Sequence, residues 1–364
     1  MQGQTSAKKK VFVGMSGGVD SSVSAALLKE RGFDVTGVFI KVWQPNWFEC
    51  TWREDRLDAM RVAVELGIPF VTLDLEKEYK KEVVDYMISE YKAGRTPNPD
   101  IMCNRHVKFG GFFDWAMRQA KPGEEVFVAT GHYAQIKNVG GASCLASGVD
   151  EGKDQSYFLW TLTSEQLSKT IFPVGGMPKA KVRDLARKFN LPTAEKRDSQ
   201  GLCFIGKVDI REFLSHYIAQ TKGDVLDESG KAIGTHDSAI FLTLGERHGF
   251  TVTQKTPDEK PYYITARDIS KNTITVSHKS LEGTLNIEKK EYSLGSVNWI
   301  AVPPEAGKVY KARVRHLGEL LDCHIEPVTD GEVEVGFLKP LIIASGQSIV
   351  LYQGDVCLGG GIVL

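Results

Sequence analysis

Residues 14–22 read Gly-Met-Ser-Gly-Gly-Val-Asp-Ser-Ser and directly follow the apolar run Val11-Phe12-Val13. A strand that breaks into a glycine turn and then a helix leaves backbone N–H groups unpaired at the helix start. The helix dipole adds to them, so an anion binds there. Gly17 and Gly18 let the backbone approach a phosphate. Ser16, Ser21 and Ser22 offer hydroxyl donors, and Asp20 could orient a metal ion. The spacing is neither Gly-x-Gly-x-x-Gly nor Gly-x-x-x-x-Gly-Lys-Ser/Thr, so the loop brings no lysine of its own to the β and γ phosphates.

Two cysteines have neighbours that bear on thiol chemistry. Pro97 and Pro99 make a stiff extended loop around Asn98, after which Asp100 stands as a possible helix cap and Cys103 falls in the first turn. A helix N-terminus and the nearby Arg105, His106 and Lys108 would lower the Cys103 pKa; the alternative is a buried, inert thiol. Cys203, in Gly201-Leu202-Cys203-Phe204-Ile205-Gly206, looks by itself like a core thiol. It gains meaning as a partner for Cys103, because two thiols can share a persulfide and then close a disulfide. The remaining cysteines, at 50, 144, 323 and 357, read as packing residues, and the lack of any Cys-x-x-Cys or Cys/His cluster argues against a structural metal. Thr130-Gly131-His132-Tyr133 ends an apolar run. Gly131 there would allow close approach of a nucleotide, and His132 either meets a phosphate or base or is an ordinary strand-end histidine.

These groups need elements to hold them. Strand patterns at 11–15, 35–42, 69–74 and 126–130 alternate with helix patterns at 21–31, 54–66, 77–92 and 110–119. Alternation of this kind predicts an α/β fold, a parallel Rossmann-like sheet with helices on both faces and the phosphate loop after the first strand. Another helix is expected at 179–189. Turn signals after about residue 206 predict a small central mixed domain. Short alternating strands at 310–317, 321–327, 332–337, 348–352 and 356–364 predict a C-terminal β-barrel. The expected units are 1–206, carrying the phosphate loop, 207–282 and 283–364.

Composition fits a globular protein, 42% hydrophobic and 25% charged over 364 residues. No apolar run approaches the roughly 20 residues of a membrane helix, and the first ten residues have no apolar signal core, so a cytoplasmic protein without a membrane partner is expected. With a net charge of −1, a nucleic-acid partner would need a local basic face. One candidate stretch holds Lys179, Lys181, Arg183, Arg187, Lys188, Lys196 and Arg197. A second holds Lys311, Arg313 and Arg315, whose alternation would put them on one face of a strand.

The Ser-Gly-Gly-x-Asp-Ser core of the loop resembles the pyrophosphate loop of ATP pyrophosphatases, which cleave ATP between the α and β phosphates. With it, in order, stand the segments 93–100 with Cys103-Asn104, 129–133, 153–159, 201–206 and 356–362. Together they resemble the bacterial tRNA-specific 2-thiouridylases over nearly the whole chain. The resemblance implies thiolation of the wobble uridine, position 34, of tRNAs for Lys, Glu and Gln. ATP adenylates the C2 carbonyl oxygen and pyrophosphate leaves; sulfur then comes from a cysteine persulfide and AMP leaves. It implies an ATP pocket of Gly14, Met15, Ser16, Gly17, Gly18, Val19, Asp20, Ser21, Ile40 and Gly131, with Mg²⁺ and no structural metal. It makes Cys103 the nucleophile and Cys203 the persulfide carrier, the two joined in a transient disulfide, and counts Asp100 with them as catalytic. It places Asn98, Pro99 and Asp100 around the target base, and His132, Lys153, Asp154, Gln155, Arg315, His316 and Gln347 against tRNA. The barrel has Arg313-Val314-Arg315-His316 where the family usually carries Arg-Tyr-Arg-Gln. The implied partners are tRNA and a sulfur donor, either a cysteine desulfurase or a relay carrier, and a monomer is expected. Two other readings stay open: another pyrophosphate-loop ligase acting on a small molecule, and a non-catalytic adenine-nucleotide-binding module.

Overall fold

The computed structural model describes residues 9–47, 52–197, 210–253, 260–278, 289–327 and 332–364. The first sheet is built of β1 (Lys9–Gly14), β2 (Asp34–Lys41), β3 (Phe70–Asp74), β4 (Glu125–Ala129) and, beyond the hairpin β5 (Ala134–Val139) and β6 (Ala142–Ser147), β7 (Thr170–Ile171). Its order is β3-β2-β1-β4-β7, with every pairing parallel. β1 is central because both its faces are apolar. Val11 and Val13 pack under helix α1 (Val19–Glu30) and the helix Lys179–Lys188, while Phe12 packs on the opposite side. Strand order reverses between β1 and β4, and ligands of such sheets bind in the crevice at the carboxyl ends of the strands there.

The helical run at 99–117 starts earlier than the expected 110–119. Pro99 occupies the first helical position, where its missing N–H costs nothing, and the Asn98 side chain accepts from Asp100 N at 3.2 Å and Ile101 N at 3.3 Å. Asn98, not Asp100, is therefore the cap. The run continues through a π-helical segment, Cys103–Phe112, into Phe113–Met117; such segments are frequent at functional sites.

The central sheet joins β8 (Gly223–Leu226), β9 (Ala232–His236), β10 (Phe250–Val252), β11 (Tyr263–Asp268) and β12 (Thr273–Ser277) in the order β10-β9-β8-β12-β11. Its own small core contains Val225, Ile264, Ile274 and Val276. The last strands are β13 (Lys289–Trp299), β14 (Val309–Arg313), β15 (Leu321–Pro327), β16 (Val333–Leu341), β17 (Ser348–Gln353) and β18 (Val356–Val363). They form an antiparallel barrel that closes through β13 and β18. The hairpin β5–β6 joins this barrel through β18, pairing Val356 with Ala146 and Cys357 with Leu145.

A buried ion pair crosses the same seam. Arg313 donates to Asp154, whose side chain is 1% exposed and also accepts from Gly148 N at 2.9 Å, Ser156 N at 3.1 Å and Ser156 Oγ at 3.0 Å. Asp154→Asn leaves the guanidinium buried without its counter-charge, and the expected cost is about 3–5 kcal/mol. Urea unfolding measures it, and an unmoved midpoint would show that the pair contributes nothing net.

Candidate nucleotide and thiol site

The loop takes the conformation its glycines permit. Gly17 sits at φ +75, and a Cβ there would lie 2.3 Å from the Asp55 carbonyl oxygen, so both backbone angle and space demand glycine. Gly18 caps α1, and the N–H groups of Val19, Asp20 and Ser21 fall in the first turn, where an α-helix offers no internal acceptor. Met15 is buried, with its N–H donated to the Val38 carbonyl at 2.8 Å. Ser16 is exposed at the turn and its N–H lies 3.2 Å from Ser21 Oγ.

Two expected hydroxyl donors are spent inside the loop. Ser21 Oγ and Ser22 Oγ both donate to the Gly18 carbonyl, at 3.1 and 2.8 Å, the local back-bonding typical of serine in a first turn. Asp20 is also engaged: Tyr133 OH donates to Oδ1 at 2.7 Å, and Lys179 Nζ lies 2.7 and 2.8 Å from its two oxygens. Sequence made Lys179 part of a candidate basic face for nucleic acid, the alternative being an ordinary solvated charge run. The fold instead brings it to the phosphate loop, a juxtaposition across 159 positions that no local pattern signals.

Gly131 follows β4 and lies against α1; a Cβ there would fall 2.7 Å from Ser21 N. Ile40 is buried near the carboxyl end of β2. His132 is 7% exposed, among Phe109 and Phe172. Lys108 Nζ lies 3.4 Å from its Nε2 and Thr130 Oγ1 lies 2.7 Å from its Nδ1. A lysine ammonium only donates, so Nε2 accepts and the ring proton sits on Nδ1. Burial, with the Lys108 charge, holds the His132 pKa well below its ordinary value and keeps the ring neutral.

Cys103 is fully buried, at the junction where the helix Pro99–Met102 passes into the π segment. Lys108 stands on that same segment, and Phe112 Cε1 comes within 3.4 Å of where a Gly14 Cβ would be. The helical run bearing the thiol thus packs beside β1 and β4, meeting the end of β1 through Phe112 and the residues after β4 through Lys108. Asn104 Nδ2 donates to the Phe158 carbonyl at 3.1 Å, tying the next residue to the 153–159 segment. Cys203 and Cys50 lie outside the described residues.

Of the residues the resemblance sets against tRNA, Arg315 is exposed, and Lys153 and His316 are partly so. The His316 ring lies 4.3 Å from that of Phe158. Burial, the main cause, lowers the His316 pKa. Asp154 is saturated by its buried partners. Gln155 braces Tyr133, accepting from its N–H at 3.0 Å and donating its own N–H to the Tyr133 carbonyl at 2.9 Å. Gln347 Nε2 donates to the Thr96 carbonyl at 2.6 Å, and Thr96 N donates to the Ser345 carbonyl at 2.8 Å, so a barrel loop holds the segment ahead of Asn98.

The two basic stretches are not open cationic faces. Lys196 pairs with Asp55 and Asp58, Arg187 with Glu195 and Asp184, and Lys188 with Glu30. Arg183 donates to the Ala194 and Lys196 carbonyls, whereas Lys181 and Arg197 are exposed. On β14, Lys311 pairs with Asp322 and Arg313 turns into the seam, while Arg315 lies beyond the strand's end. Alternation correctly sets 311 and 313 on one side, but packing covers the second of them.

A parallel sheet with this loop at its switch point defines a pyrophosphate-loop, ATP-binding domain. The model of the tRNA methyl transferase HUP domain matches residues 9–207, that of the tRNA methyl transferase PRC-barrel domain 211–278, and that of the aminomethyltransferase beta-barrel domain 289–363. The chain is similar to the tRNA-specific 2-thiouridylase MnmA of Thiobacillus denitrificans, 41% identical over 97% of this chain and 99% of that one. It is similar to the enzyme of the same name from Francisella tularensis, 42% identical over 98% and 99%. A solved U34-tRNA thiolase NcsA from Methanococcus maripaludis matches 58% of this chain and 65% of its own at 20% identity, with a TM-score of 0.35. The chain belongs to the family of tRNA-specific 2-thiouridylases.

Proposed function

We propose that this protein is a tRNA-uridine 2-sulfurtransferase that thiolates the wobble uridine, with ATP as the activating substrate. The observation that supports the reading is that the element carrying Cys103 and the phosphate loop both border the segment after β4. The π segment beginning at Cys103 reaches His132 through Lys108, and Gly131, beside it, packs on the first turn of the phosphate-loop helix.

A carbonyl oxygen is a poor leaving group, and adenylation makes it a good one. The backbone N–H groups around Gly17 and the first turn of α1 would hold the phosphates and stabilise charge on the departing pyrophosphate. Gly14, Gly18, Ile40 and Gly131 would complete that pocket. Mg²⁺ is commonly held by one or two carboxylates together with substrate phosphates, and Asp20, at the loop, would take the single-carboxylate role once the Lys179 ammonium that now meets both its oxygens turns to the phosphates. The terminal sulfur of a Cys203 persulfide attacks C2 and AMP departs. The Cys103 thiolate then attacks the Cys203 sulfur; the S–S bond breaks, its electron pair leaves with the 2-thiouridine, and a Cys103–Cys203 disulfide remains for an external thiol to reduce. Asn98, Pro99 and Asp100 would border the base, which must leave its stack to be reached. Arg315, Lys153 and His316 would meet the RNA, with His132, Asp154, Gln155 and Gln347 holding the segments that do. Of the described residues, no helix is long and apolar enough to cross a membrane. A cytoplasmic monomer, fed by a desulfurase or relay protein and organised as units 1–206, 207–282 and 283–364, is the arrangement we propose.

Incubating the protein with tRNA, ATP, Mg²⁺ and a persulfide donor, then analysing nucleosides, tests the reading: 2-thiouridine appears only with all four. ATP–pyrophosphate exchange that needs a small molecule and no tRNA would instead favour the ligase reading. Binding of tRNA should weaken with salt, by a log–log slope of about −0.9 per phosphate neutralised. A flat salt response in a filter-binding titration would remove Lys153 and Arg315 as phosphate contacts.

A further inference from the structure

Arg267 lies on β11 of the central sheet, remote in sequence from every residue given a part in the reaction. Its guanidinium donates to the Leu242 carbonyl in its own unit and to the Gly94 carbonyl in the loop ahead of Asn98. Gly94 is held at φ +75, where a Cβ would fall 2.8 Å from Ile269 Cγ1. On the other side of that loop, the barrel grips Thr96 through Ser345 and Gln347, and a Cβ on Gly346 would sit 3.0 Å from the Thr96 backbone. The loop is therefore clamped between the two C-terminal units.

The central segment that accepts Arg267 also accepts Arg211. Arg211 pairs with Glu246, whose other oxygen accepts from Thr243 N at 2.9 Å. Arg211 stands eight positions after Cys203 in the chain. Beneath these polar ties, Phe213, Leu214 and Phe241 share a core with Met87, Ile88 and Tyr91.

We propose that Arg267 and Glu246 are positioning residues for the sulfur transfer. Through Arg267 the central unit fixes the chain that leads to Asn98-Pro99-Asp100, and through Glu246 it holds Arg211 on the helix Ile210–Ser215. The inference rests on the functional reading above. Arginine is required because its planar fork donates to two carbonyls at a fixed angle, which a lysine point charge does not reproduce. Neither side chain touches the phosphate loop, so ATP affinity is independent of them.

Full-length R267M, R267K and E246Q would be compared with the wild type in single turnovers with tRNA, ATP, Mg²⁺ and a low-molecular-weight persulfide, whose outer sulfur passes to the Cys203 thiolate while its own thiol leaves. A displacement of about 1 Å can cost about 10²-fold in rate. R267M should therefore form 2-thiouridine about 30- to 100-fold more slowly, R267K should fall between it and the wild type, and E246Q should lose about 10-fold. The tRNA and ATP dissociation constants should stay within about threefold. Losses that merely track the folded fraction, or rates per folded molecule within about twofold of wild type in R267M and E246Q, overturn the proposal. A wild type that makes no 2-thiouridine overturns the functional reading and this one with it; an active wild type matched by its variants overturns this one alone.

Discussion

Cys203→Ser should accept no persulfide and form no 2-thiouridine, while Cys103→Ser should load sulfur on Cys203 and fail to pass it on. Each loss should be at least about 10³-fold in single-turnover rate, the scale on which removing a reacting nucleophile acts. The two variants fail at different steps, so mass spectrometry of the protein separates them: a gain of one sulfur on Cys103→Ser and none on Cys203→Ser. Cys103 is fully buried, and replacing its thiol with a hydroxyl costs about 1–3 kcal/mol if that hydroxyl goes unsatisfied. Melting curves must therefore accompany the rates. Cys144, Cys323 and Cys357 provide the control. All three are buried, and burial raises their pKa, to about 12 for Cys323 and Cys357, so none is a thiolate at neutral pH. Serine at those positions should lower stability without removing thiolation. Normal transfer by Cys103→Ser, with no Cys103–Cys203 cross-link in wild-type protein after a turnover without reductant, would refute the disulfide mechanism.

The loop was legible because its signal is local. An apolar strand, two glycines and a serine-rich helix start need only their own neighbours to form. The parallel sheet was legible from alternation, and β15 falls where its pattern sets it, at Leu321–Pro327. Three things were not legible, each for a physical reason. The helix start was read two residues late, with Asp100 as the cap, because proline reads as a breaker until Asn98 is seen to cap a helix that Pro99 opens. The hairpin β5–β6 was missed although Gly140 and Gly141, both at positive φ, mark its turn, and its membership of the barrel comes from pairing with β18, some 200 residues on. The roles of charged residues were hidden most. Asp154 and Arg313 find each other across 159 positions, as do Asp20 and Lys179, and a charged residue in a sequence looks the same whether water or a counter-ion will meet it. That is why the 179–197 stretch reads as a basic face and folds as a set of ion pairs.

Asp20→Asn should abolish both AMP formation and thiolation while the chain still folds. The carboxylate receives the Tyr133 hydroxyl and the Lys179 ammonium, and its backbone lies in the first turn of α1 beside Gly131. Asparagine keeps the shape and one acceptor but removes the charge. Lys179, 14% exposed, then loses its counter-ion, so some destabilisation accompanies the substitution and must be measured with the rate. Ser16→Ala is the complementary probe. Ser16 is exposed, and its hydroxyl only borders Gly18 N at 3.4 Å and Ser21 Oγ at 3.3 Å, so the fold barely depends on it. Losing one preorganised group at a site of developing charge costs about 10²–10³-fold in rate, which is the loss expected of Ser16→Ala if its hydroxyl meets the phosphates. The identity of the nucleotide product completes the test. A loop that holds pyrophosphate as the leaving group, and has no lysine of its own aimed at the β and γ phosphates, should yield AMP and pyrophosphate in step with 2-thiouridine. ADP as the main tRNA-dependent product, or full thiolation by Asp20→Asn, would remove this loop from the chemistry even if ATP still bound.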